Sequence, residues 1–304
     1  GGKMPENIES TVEAEVNIIE TVKETINSLC DSLFTSINNN VFPLLDDIVF
    51  VDTDITDSSY MEKLFNSSAT SGIIILANCL LTAFILYYAI RLMMSHFVGS
   101  HVDAPYKFFI KTIFIAIFMN FSLELCSAFI NIAFNASSFF CALGKEIIGK
   151  EISFITFTSE FEKILNNNLD IFSLDGILCS TLYISSFNLA ITYALRYIFI
   201  KVLILLSPFV ILCLTNQSTE FIFKNWLKCF FSLLFLQVIV SIILLLPFII
   251  VKESSNMLFN KLLLIGSISA LLKANQFIRE FIGGIDVNAT LPSAISNIKS
   301  MLIK

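Results

Sequence analysis

Five stretches of the chain stay apolar for about twenty residues each: 72–94, 109–134, 176–200, 227–250 and 257–277. At a rise of about 1.5 Å per residue, a run of that length carries a helix across the hydrocarbon of a bilayer. None of them alternates apolar and polar residues as a barrel strand does. A further stretch, 202–214, is apolar but too short to span, and Pro208 interrupts it. It reads as a kinked continuation of the third span or as a re-entrant piece, because proline removes a backbone bond and bends a helix. The expected fold is all-α, a polytopic transmembrane bundle of five spans, or six if 202–214 crosses.

Upstream of the spans the pattern changes. Val12, Ile19, Ile26 and Leu33 recur every seven residues, with Val22 and Leu29 as a second line. That spacing predicts an amphipathic helix over 6–37 with a narrow, coiled-coil-like seam. Glu15 interrupts the second line, which argues against a long coiled coil; the seam is expected to dock on a partner or on the same protein. Asn38–Asn40 and Pro43 are expected to end the helix. Residues 46–59, with five aspartates, read as a solvated loop. An interfacial helix is expected around 145–165. Three regions result: a water-facing segment over 1–70, a membrane core over 71–277 and an amphipathic tail over 278–304.

Composition agrees with lipid as the solvent. Of the 304 residues, 56% are hydrophobic and 14% charged, against about 25% charged in soluble domains. Charge is also unevenly placed. Residues 1–63 hold thirteen acidic and three basic side chains, and the remainder hold twelve and sixteen, giving −10 and +4 of the total −6. An anionic head is a poor nucleic-acid ligand, since phosphate contacts need Lys and Arg. The seven cysteines are scattered, without a C-x-x-C pair, and read as small apolar residues. Gly1–Lys3 precede Met4 and read either as a cloning remnant or as a mature end after signal-peptide removal.

Lys and Arg near the span ends favour an orientation with residues 1–63 outside and the C-terminus inside, eleven cations against eight. Trp226, Arg196 and Lys201 are expected at a membrane interface, Arg196 by snorkelling.

Polar residues at helical spacing mark several spans. The second carries Asn120, Glu124, Ser127, Asn131 and Asn135 on one face; the third carries Thr181, Ser185, Asn188, Thr192 and Arg196. Such faces avoid lipid. Asn120, Glu124, Ser127, Asn131, Ser185 and Asn188 therefore read as a glue of inter-helix hydrogen bonds or as a polar lumen. Glu124 lies about 15 Å below the outer end of its helix, too deep to meet Arg196, so Asn188 or water is its expected neighbour.

His96, His101 and Asp103 share a loop but lack a recognised zinc spacing. No H-E-x-x-H, G-x-S-x-G, Walker A or G-x-G-x-x-G occurs. No cofactor, metal or catalytic group is expected, and an enzyme is not the expected class. Any transport would draw its energy from partners or a gradient.

Residues 197–251 read YIFIKVLILLSPFVILCL, then a polar TNQSTEFIFKN, then WLKCFFSLLFLQVIVSIILLLP. This resembles the TrbL-type membrane-channel components of bacterial conjugation and type IV secretion. The resemblance rests on Ser207-Pro208, the short polar loop, Trp226-Leu227-Lys228 and the later Phe281-Ile282-Gly283-Gly284, within about 175–285. It implies a multi-pass protein of the bacterial cytoplasmic (inner) membrane. Its implied partners are membrane lipids, further copies of itself as a homo-oligomer, other secretion subunits including an external ATPase, and translocated DNA or protein. A stand-alone transporter or small-solute channel is the competing expectation.

Overall fold

The computed structural model describes residues 6–57, 59–66, 72–98, 105–164, 172–216, 219–253 and 256–282. Among these, every regular element is helical. In chain order they are α1 (Glu6–Val49), α2 (Asp54–Asp57), α3 (Ser59–Asn66), α4 (Ile73–Val98), α5 (Pro105–Asn120) and α6 (Ser122–Ile148), then α7 (Phe154–Ile164), α8 (Leu174–Leu212), α9 (Glu220–Glu253) and α10 (Met257–Ile282). One 3-10 turn, Cys213–Thr215, closes α8. Five segments are long and apolar enough to cross a membrane: Ile73–Ser95, Ser122–Ile148, Leu174–Thr215, Glu220–Lys252 and Met257–Ile278. The chain is an all-α polytopic membrane protein, as its apolar pattern predicts.

The long helix α8 is the axis of the molecule, with α1, α4, α5, α6, α9 and α10 packed on it. Trp226 of α9 reaches Leu203, and Leu233 reaches Arg196, so α8 and α9 are antiparallel. The rings of Phe129 and Phe231 lie 4.9 Å apart, and Gly144 sits against Leu245, so α6 runs beside α9 in the same direction. Lys261 pairs with Asp175 at 2.7 Å, which starts α10 beside the start of α8. The second half of α1 follows α8 from Tyr183, on which Phe34 stacks at 4.5 Å, to Arg196.

The structure corrects several boundaries. The expected second span is two helices, broken at Phe121, whose φ of −96° and ψ of 19° leave the helical region. The hydrogen bonds Phe121 N–H to Ile117 O and Leu125 N–H to Phe121 O carry the chain across the break. Helix α1 does not stop at Asn38–Asn40 or Pro43 but continues to Val49. An internal proline costs about 3 kcal/mol. Phe42, Leu45 and Val49 are fully buried against α7 and α8, and each such burial contributes about 1.5–3 kcal/mol. Packing thus outweighs the local break.

Residues 46–59 are not a solvated loop. Residues 46–57 form the end of α1, a turn and α2, with Val51 and Ile55 buried between the aspartates, and Ser59 opens α3. The helix expected at 145–165 divides: α6 runs to Ile148, Gly149 ends it in the left-handed conformation at φ 79°, and α7 begins at Phe154. Residues 202–214 prolong α8 through Pro208 and do not form a sixth span. Of the tail, 278–282 belongs to α10, and 283–304 lies outside the described residues.

Gly144 lets α6 approach its neighbours closely. A Cβ there would run into Ile152 Cγ1, and would sit 2.9 Å from Ile152 Cδ1 and 3.0 Å from Leu245 Cδ1. Gly144→Leu is therefore expected to cost about 1–3 kcal/mol by overpacking. Thermal unfolding in detergent checks this; an unchanged midpoint would remove the close-packing argument.

Candidate functional site

On either side of the break at Phe121, the end of α5 and the first turns of α6 wall one cavity. Its volume is about 620 Å³. Asn120, Leu123, Glu124, Ser127 and Ala128 line one side; Thr56 and Asp57 of α2, Phe65 of α3 and Ile74 of α4 complete it. Two carboxylates therefore face one space with an amide and two hydroxyls, and no cation is among the lining residues. Glu124 has no hydrogen-bond or ion-pair partner among the described residues. Asn120 ties the wall together: its amide nitrogen donates to Ala116 O at 2.7 Å, and its Oδ1 accepts from Asn78 of α4 at 3.3 Å.

Three residues of the expected polar face, Asn120, Glu124 and Ser127, thus meet in one place. Asn131 lies beyond the cavity and accepts a bond from Asn135 at 2.8 Å. Ser185 and Asn188 sit half-buried on α8, away from the cavity lining; the Asn188 Oδ1 is enclosed without a partner. Of the expected seam, Leu33 is 60% exposed and Ile26 half-buried, beside the exposed Val22 and Leu29. Val12 and Ile19 fall on the described backbone of α1, but their side chains are outside the described residues.

Two residues of the expected interfacial set are enclosed by protein. Arg196 does not snorkel; it is 1% exposed, donating Nε to Leu233 O and Nη1 to Val49 O, both at 2.9 Å. Val49 is the last residue of α1, so the guanidinium meets the negative end of that helix dipole. Trp226 is also buried. Its ring stacks on Phe230 at 5.1 Å, and its Nε1 donates to Leu203 O at 3.0 Å. Lys201 is half-buried, with its Nζ 4.8 Å above the Tyr197 ring.

Asp57 and Thr56 were missed as site residues because aspartates among Ser and Thr read as loop. The signal was Val51 and Ile55, apolar positions set among the aspartates. The side chain of His96, and all of His101 and Asp103, lie outside the described residues. Among the described residues no group of three His, Cys, Asp or Glu is placed to hold a metal ion.

A second polar feature joins α1 to α7. Asp46 accepts the Phe154 N–H at 2.8 Å and the Ile155 N–H at 3.3 Å, the first donors of α7. Burial nevertheless pushes its carboxyl up from 3.8 to about 6; those two N–H groups oppose the rise, and Asp47 and Glu151 add to it. The folded state therefore holds this proton more tightly than the unfolded chain. The resulting stability is full below pH 3.8 and is lost as pH rises to about 6. Asp46→Asn is expected to melt higher than the wild type at pH 7.5 and to lose that advantage below pH 4. Melting curves across that range check it; a constant offset refutes the linkage.

Compared with family models, with curated proteins and with solved structures, the chain matches none. Fold and site together define a polytopic α-helical membrane protein with a carboxylate-bearing cavity at one end of its bundle.

Proposed function

We propose that the chain is a structural channel subunit of TrbL type, helping to form the path for DNA or protein across the bacterial cytoplasmic membrane. Its role is structural and not catalytic, and an external ATPase supplies the energy. The observation that carries the reading is the meeting of Asn120, Glu124 and Ser127 with Asp57 in one cavity. A polar face used only as glue would be closed on a neighbouring helix, whereas this face borders open space. The residues behind the TrbL-type resemblance lend support. Ser207-Pro208 lies inside α8, and Trp226 packs back on Leu203 across the turn.

Mild-detergent purification followed by mass spectrometry tests the proposal. Copurification of secretion subunits is the expected result. Solute flux by the chain alone in liposomes, without such partners, would replace this reading with a stand-alone transporter.

Thiol labelling tests the cavity directly. In a background without the seven native cysteines, cysteines at 120, 124 and 127 are expected to react with an impermeant reagent. Those at 126 and 130, buried in the native packing, are not. Equal protection of all five positions would remove the aqueous path.

A further inference from the structure

Arg196 is a full positive charge inside the bundle, 1% exposed, with no carboxylate within ion-pair distance among the described residues. Two of its nitrogens are used by backbone carbonyls, but Nη2 has no partner. It is not the only unused donor there. Tyr193, one turn earlier on the same face of α8, is 1% exposed and its hydroxyl has no partner. The guanidinium carbon lies 5.8 Å from the centre of that ring. On α9, Gln237 follows Leu233, the residue that accepts from Arg196 Nε, by one turn. Gln237 is fully buried, and neither end of its amide has a partner.

We propose that this layer between α8 and α9 is a binding site for a small monovalent anion of halide size. Buried polar groups without partners are rare in native structures, and an unpaired guanidinium nitrogen with an unpaired phenol and amide about one turn away requires an explanation. Water satisfies hydrogen bonds but leaves the charge unbalanced. The dipole end of α1 at Val49 carries only about half a charge and offsets part of it. A small anion accepts from Arg196 Nη2, the Tyr193 hydroxyl and the Gln237 amide nitrogen, and neutralises the layer. Near-complete burial excludes a partner's carboxylate side chain, so a free ion is the fitting ligand. The site is distinct from the Asp57–Glu124 cavity and does not rest on the channel reading.

The test uses the full chain in detergent, with chloride exchanged for gluconate at constant ionic strength. The melting point is expected to rise with chloride in a saturable way. Bromide is expected to give an anomalous scattering peak beside Arg196. Losing one hydrogen bond in Tyr193→Phe or Gln237→Leu should raise the half-saturating chloride concentration by about tenfold. Arg196→Met should abolish the dependence. If Arg196→Met does not fold, the two milder variants decide the matter. A wild type that melts identically in chloride and gluconate overturns the site. So does a chloride response that both milder variants keep unchanged, which would mean only non-specific salt effects.

Discussion

Changing Ile19 and Ile26 together to aspartate is expected to dissociate any assembly that this chain forms through α1. The heptad seam of Val12, Ile19, Ile26 and Leu33 is uncovered by the described residues at Leu33, which is 60% exposed. Val22 and Leu29 beside it are also more than half exposed. The positions flanking the seam carry Thr11, Ile18, Thr25 and Ser32 on one side and Val16, Lys23, Cys30 and Ile37 on the other. Like charges therefore do not line up along it, and a second copy can approach. Each buried seam residue contributes about 1.5–3 kcal/mol, so two buried carboxylates remove about twice that and add a desolvation cost. Native mass spectrometry reads the outcome: an unchanged oligomer would mean that the seam is not an interface.

Trp226→Ala is expected to be the most damaging single truncation in the bundle, at about 3–5 kcal/mol. Trp226 stacks with Phe223 and Phe230, 5% exposed, and joins α9 to α8 through Leu203 O. Trp226→Phe keeps one stacked ring and loses that hydrogen bond and part of the packed volume, costing about 1–3 kcal/mol. Chemical unfolding in mild detergent ranks the two. A Trp226→Ala protein as stable as Trp226→Phe would show that the ring fills no core.

The sequence made the apolar helices legible because lipid imposes length and hydropathy on them residue by residue. It did not reveal the break at Phe121, since Asn120 and Glu124 on either side keep the spacing of one continuous helix face. The enclosure of Arg196 and Trp226 by protein was not legible for a related reason. Near a span end both residues ordinarily mark the water interface. Their burial depends on partners distant in sequence: Val49 is 147 residues from Arg196. The cavity was half legible. Asn120, Glu124 and Ser127 follow helical spacing, whereas Thr56 and Asp57 arrive by tertiary folding of α2.

Helix α8 has 39 residues, a rod of about 58 Å where hydrocarbon is about 30 Å deep. Between Asp175 and Arg196 it carries no charged side chain, and this stretch suits acyl chains. Along Tyr183 to Arg196, however, α1 covers one flank with a segment that bears Asn38–Asn40, Asp46 and Asp47. Amides and carboxylates cannot be wetted by acyl chains. At that height the lipid around the bundle is a crescent and not a closed ring, and its open side, at α1, belongs to water or to protein.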